Sequence, residues 1–305
     1  MNSLHFISPR VLWHARFWFS AMMLLVACGC RTVPNENVAT FASAVTAEKS
    51  HSHDVFATVD ELIAAASLDY AATQPTLTEA NFTSGLSQNG LQLWEEAFEK
   101  LERYGQHLQT LTSPELAKGF EDESVQLAGQ LQAFGEKLHN EGLATQAPKF
   151  NPTIAAGFAE LSSLFIRLKA QSDARRILEA ADPHVRSLLL EMAASIGGST
   201  AEGVRGTVKT HWNTLLAQQK QEFLEATSTS DKKTVAAAFL ETLEKRAAQD
   251  MALVSLRRAL LALADLHHAL ARGEAWTARK SMEALSQEMT RTEQISIRMR
   301  AGTKP

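Results

Sequence analysis

From residue 88 to residue 142 the apolar side chains return every three or four positions. Leu91, Trp94, Phe98, Leu101, Tyr104, Leu108 and Leu111 form one run, and Leu116, Phe120, Leu127, Leu131, Phe134 and Leu138 form a second. That period places each run on one face of an α-helix, whereas a strand facing a core needs every second residue. Between them, Ser113-Pro114-Glu115 reads as an N-cap with proline in the first turn, so the stretch predicts a helical hairpin. On its outer face, Glu96 with Lys100 and Glu99 with Arg103 make i,i+4 pairs.

The same period recurs along the chain. Val38, Phe41, Val45, Val55, Val59, Leu62 and Ile63 mark a helix from Asn35 to about Ala72, with a polar interruption at "EKSHSHD", residues 48–54. Residues 73–90 read as a loop. "NEGLATQAPKFNPT", residues 140–153, is the clearest linker, with Gly142, Pro148 and Pro152. Ile154, Phe158, Leu161, Phe165 and Leu168 resume the helical pattern. Asp182-Pro183 reads as a new cap and start, ahead of Val185, Leu188, Leu189, Met192 and Ile196. "GGSTAEG" at 197–203 breaks or kinks that run, and Ser199 with Glu202 has the capping-box spacing.

Val204, Val208, Trp212, Leu215 and Phe223 lead to a junction at "TSTSD", residues 227–231. A long periodic segment through Phe239, Leu243, Leu256, Leu260 and Leu263 then reaches Leu270. Arg272-Gly273 reads as a C-cap, and Ala278, Met282, Leu285 and Met289 mark a last helix. Only 8 prolines and 15 glycines occur in 305 residues, and no stretch alternates apolar with polar. The prediction is an all-α fold: an elongated antiparallel bundle of about six to eight amphipathic helices with essentially no sheet. An N-terminal helical region, 36–145, and a C-terminal one, 150–305, are free to pack as one domain.

Ahead of the body, Arg10 and Arg16 precede "FWFSAMMLLVA", an apolar run of 11 residues from Phe17 to Ala27. A helix needs roughly 20 apolar residues to cross a hydrocarbon core. The run suits the core of a secretory signal instead, with small residues at its end. Directly after it comes the first of the chain's 2 cysteines, Cys28, and the second is Cys30.

Leu25-Val26-Ala27-Cys28 resembles the lipobox of bacterial lipoprotein precursors. The resemblance covers only the first thirty or so residues. It implies that residues 1–27 are a signal peptide cleaved before Cys28, with a diacylglyceryl thioether on the sulfur and acylation of the new amino group. Cys30 fits less well, because Ala27 stands three residues before it where a large aliphatic residue is expected. One acyl chain holds a protein to a bilayer only reversibly, and two or three make the attachment permanent. By the sorting pattern of this class, Gly29 after the lipidated cysteine implies the outer membrane, facing the periplasm. Residues 28–35 are then a lipidated tether, whose last seven residues span ~24 Å at most.

Catalytic patterns are sparse. His51 and His53 of "HSHD" diverge by ~200° on a helix and could share a metal only from a loop. His267 and His268 are adjacent in a helical run, so one faces outward while the other packs against a neighbour. Gly198 to Gly203 has the outline of a phosphate loop, but Val204 and Arg205 stand where Lys and Ser or Thr are required. Ser230-Asp231-Lys232-Lys233 matches S-x-x-K without its companion motifs, and a helix N-cap explains Ser230 better. Glu121-Asp122-Glu123 fans into water. Trp94, Trp212 and Trp276 either belong to the core or line a pocket for an apolar ligand. No catalytic, metal or cofactor residues are assigned.

Beyond residue 27 the chain carries 28 basic and 34 acidic residues, so nothing electrostatic invites nucleic acid. The leading expectation is a non-enzymatic bacterial cell-envelope lipoprotein: a helical scaffold held to the bilayer by Cys28 and engaging an envelope protein or a second copy of itself. The alternative is a carrier or sensor bundle with an apolar interior pocket.

Overall fold

The computed structural model describes residues 35–82, 86–111, 120–141, 152–168 and 174–302. The signal sequence, Leu25 to Cys28, the tether up to residue 34, the Ser113-Pro114 cap and residues 142–151 of the linker lie outside the described residues. The described residues belong to one compact unit, Val33–Pro305. They form eight α-helices and one 3-10 turn, with no strand among them. The helices are α1 (Asn35–Ala72), α2 (Gln88–Leu111), α3 (Phe120–Glu141), α4 (Pro152–Leu168), α5 (Ala174–Ile196), α6 (Gly203–Glu225), α7 (Thr229–Arg272) and α8 (Ala275–Gly302). The protein is an all-α helical bundle.

Its spine is α7, whose 44 residues make a rod of about 66 Å. Gly273 ends it in the left-handed conformation, φ 70°, as its sequence requires. Two shorter helices, α5 and α6, lie along it in succession. Arg186 meets Asp265 at one end, and Arg205, Asn213 and Gln219 meet Asp250, Arg246 and Thr242 at the other. Both therefore run antiparallel to α7, and "GGSTAEG" is a break after which the chain keeps its direction. Gly197 and Gly203 take positive φ, 109° and 56°, at the two ends of that break. Arg205 seals it, donating to the carbonyls of Gly197 and Gly198 and pairing with Asp250 at 2.8 and 3.0 Å.

The apolar stripes meet in one core. Val38, Phe41, Val45, Val55, Val59, Leu62 and Ile63 of α1 are all buried, as are Trp94, Phe98, Leu101, Tyr104 and Leu108 of α2. A buried amide links the layers: Gln249 donates to the Val59 carbonyl at 3.2 Å and accepts from the Trp212 indole.

Several local expectations are corrected. Residues 48–54 do not interrupt α1, which runs unbroken from Asn35 to Ala72. Pro183 does not start a helix but lies inside α5. An interior proline loses a backbone donor and costs about 3 kcal/mol, and α5 continues past it with Val185, Leu188, Leu189, Met192 and Ile196 buried. The capping box at Ser199 and Glu202 is not formed, because Glu202 is the N-cap of α6 with no side-chain bond. The N-cap of α7 is Ser228, whose Oγ accepts from the Asp231 amide at 3.0 Å, and Ser230 lies in the first turn. Glu99 pairs with Arg103 as expected, but Glu96 reaches across to Lys137 of α3 at 2.6 Å.

Candidate functional site

Among the described residues, buried titratable groups concentrate at three places. At the first, α2, α5 and α7 meet. Tyr104 Oη lies 2.7 Å from His267 Nε2, and His267 Nδ1 lies 3.1 Å from Asp182 Oδ1. His268 Nδ1 lies 2.6 Å from the other oxygen, Asp182 Oδ2. Burial works to raise the Asp182 carboxyl, but the two histidine bonds outweigh it and hold it below its ordinary value. Burial lowers His267, with Asp182 opposing. The ring is therefore neutral at pH 7: it donates from Nδ1 to the Asp182 carboxylate and accepts the Tyr104 hydroxyl proton on Nε2.

The order carboxylate, imidazole, hydroxyl is that of a nucleophilic relay. Its setting is not. Burial raises the Tyr104 phenol well above its ordinary value, with the Asp182 charge adding to the effect, so the phenolate is disfavoured. Tyr104 and His267 are fully buried, and none of the four residues lines either groove described below. The network is a satisfied polar core. His267 faces inward and His268 is half-buried, the division their adjacency predicts.

At the second place, between α2 and α3, His107 Nε2 lies 2.8 Å from Ser124 Oγ, and burial lowers the ring to about 4. The folded state thus binds fewer protons than the unfolded chain between pH 6.5 and about 4. This contribution is complete above pH 6.5 and is lost as pH falls through the window. It is expected to be on the order of 3 kcal/mol. Glu48 acts with the opposite sign, since burial raises its carboxyl and acid relieves it. In urea unfolding from pH 7 to 4, the native chain should therefore lose more stability than His107→Gln, which keeps a hydrogen bond without titrating. Parallel curves for the two would refute this role of His107.

The third place is on α1 and is the candidate site. Val38, Phe41, Val45, Glu48, Ser52, Val55, Val59 and Leu62 continue one three-four spacing, so Glu48 occupies a seam position. It is fully buried. His51, only 8% exposed, places Nδ1 3.2 Å from Glu48 Oε2, while Glu48 Oε1 and His51 Nε2 have no hydrogen-bond partner. His51 forms part of the wall of a groove of about 910 Å³ between α1 and α8.

A smaller groove of about 450 Å³ lies between α1 and α2, bordered by His53 and Trp94. The three tryptophans do not line a common pocket. Trp94 is buried beside Phe56, Trp212 is buried against Gln249, and Trp276 is 68% exposed with Lys280 over its ring.

His53 and Asp54 are exposed, and no group of three or more potential ligands among the described residues is placed to hold a metal ion. Nor is any described helix long and apolar enough to cross a membrane. The S-x-x-K residues lie exposed on the first turn of α7, and Asp122 and Glu123 face water.

Sequence reasoning missed Glu48, Asp182 and the partnering of Tyr104. It also counted Phe223 in the apolar pattern with Val204, Val208, Trp212 and Leu215. Phe223 and Leu224 near the end of α6, with Leu240 on α7, are instead 40%, 74% and 57% exposed. Comparison with family models, with curated proteins and with solved structures finds no match.

Proposed function

We propose that this chain is a non-enzymatic bacterial envelope lipoprotein. Acyl chains on Cys28 hold its helical body to the outer membrane, facing the periplasm, and the body engages an envelope protein or a second copy. The observation that carries this reading is Leu25-Val26-Ala27-Cys28 at the end of a short apolar run behind two arginines. Two features of the body support it. Helix α1 starts seven residues after Cys28, and the hairpin of α6 and α7 offers Phe223, Leu224 and Leu240 to a partner. The relay-like residues are sealed in the core, which disfavours catalysis there.

Cys28→Ser tests it. The variant should accumulate unprocessed or leave the membrane fraction, while the parent stays membrane-bound. A variant that fractionates with membranes at the mature size would sink the reading.

A second reading, a binding module for a small apolar ligand, is favoured by the groove of about 910 Å³ between α1 and α8, walled in part by Ala44, Ala47, Met282, Leu285 and Met289.

A further inference from the structure

One end of the bundle gathers the start of α1, the end of α7 and the start of α8. Helix α1 runs antiparallel to α7, since Phe41 packs on His267 while Gln249 reaches Val59. Asn35 lies six residues before Phe41, and Gly273 lies six after His267, so the two helix ends are level. Ser255 bonds Glu288, so α8 returns antiparallel along α7 and its first turn stays at this end. Only seven residues lead from Cys28 to Asn35, ~24 Å when fully extended.

That first turn carries Trp276. Of the 5 tryptophans, Trp13 and Trp18 precede Cys28, Trp94 and Trp212 are 1% exposed, and Trp276 is 68% exposed. Side chains lean toward the start of their helix, so the indole leans toward the end where α1 begins. Lys280, one turn on, sets its Nζ 5.1 Å from the ring centroid. An indole has an apolar ring and one N–H that asks for an acceptor. The headgroup layer of a bilayer meets both needs at one depth, which is why tryptophan collects there. A lysine beside it covers the ring with its methylenes and keeps its charge in water.

Charge at this end does not select the partner. Around Trp276, Arg272, Arg279 and Lys280 stand against Glu274 and Glu283, and Arg279 pairs with Glu283 at 3.3 Å. Farther round the same end, α3 opens with Asp122 and Glu123, and α5 with Arg175 and Arg176. A surface so balanced is not drawn to anionic lipid in particular. The indole makes the contact, and the short tether sets what it meets.

The geometry points to a membrane-docking end: Trp276 and Lys280 enter the headgroup layer of the phospholipid bilayer that holds Cys28, and the bundle stands on that end. This rests on the acyl anchor at Cys28 and adds what the anchor leaves open, the orientation of the body. Leu240 stands roughly 50 Å up α7 from Gly273. End-on docking therefore presents the exposed side chains of the α6–α7 hairpin far from the bilayer.

The test uses the chain purified from membranes and reconstituted in phosphatidylcholine vesicles, with or without lipids brominated near the headgroup. Flotation separates bound from free protein. Trp276→Ala, a surface change, gives the background emission of Trp94 and Trp212. The brominated lipid should remove most of the emission that Trp276 adds to this background. Leu240→Trp, placed in the Trp276→Ala chain, should keep its added emission in full.

Quenching at both positions would lay the body along the bilayer and overturn end-on docking. Protein that floats with Trp276 unquenched would overturn the docking and leave the anchor standing. Protein that does not float would overturn both. A Trp276 shielded from acrylamide yet untouched by brominated lipid would assign this end to a second copy of the chain, and the proposal would fall.

Discussion

Asp182→Ala should lower the free energy of unfolding by about 2–3 kcal/mol, a large share of what a bundle of this kind possesses. One carboxylate ends the hydrogen bonds of two histidines, His267 at 3.1 Å and His268 at 2.6 Å, and through His267 it positions the Tyr104 hydroxyl. Without it the His267 Nδ1–H is left unpaired in a fully buried ring. Tyr104→Phe removes only the terminal hydroxyl and should cost about 1–2 kcal/mol. Because Tyr104 and Asp182 share His267, the double variant should lose less than the sum of the two. Urea unfolding of the four proteins measures this. A loss below about 1 kcal/mol for Asp182→Ala would show that the network carries no such stabilisation.

Gly197→Ala should be comparably severe, on the order of 3–4 kcal/mol. Gly197 has φ 109°, and a Cβ there would stand 2.1 Å from the carbonyl oxygen of Glu202 and 2.8 Å from its carbonyl carbon. Those are backbone atoms of the same break and cannot step aside as a side chain does. The consequence reaches beyond the turn, because the break lets α5 and α6 follow α7 in succession. Gly198→Ala is the matched control. Its Cβ would meet only the flexible Glu202 carboxylate at 3.3 Å, and its effect should be small. Thermal or urea unfolding of the pair separates them. Equal stability would mean that the break tolerates a side chain.

How much of this was legible beforehand follows from what sets each feature. The buried stripe of α1 and the α2–α3 hairpin rest on local period, which a single sequence carries in full. Pro183 was misread because Asp-Pro has the form of a helix start, whereas the Asp182 side chain is taken up by His267 and His268, 85 and 86 residues away. Tyr104 was correctly placed in the core, but nothing local pairs it with a histidine 163 residues later.

Glu48 is a different case. The spacing from Val45 and on to Ser52 and Val55 places it on the seam, so the signal was present. It read as a break because a carboxylate is rarely accepted there. Phe223 fails for a third reason. Its helical period is genuine, but past Thr242 and Gln219 the hairpin's side chains are mostly exposed. A stripe predicts a face, not the helix that covers it.

The acyl anchor is the claim on which the proposed biology stands, and the mass of the intact protein extracted from membranes measures it most directly. The account predicts a polypeptide that starts at Cys28 and is heavier than its residues by a diacylglyceryl group and an amide-linked acyl chain. A chain that still carries residues 1–27, with a free thiol at position 28, would contradict it.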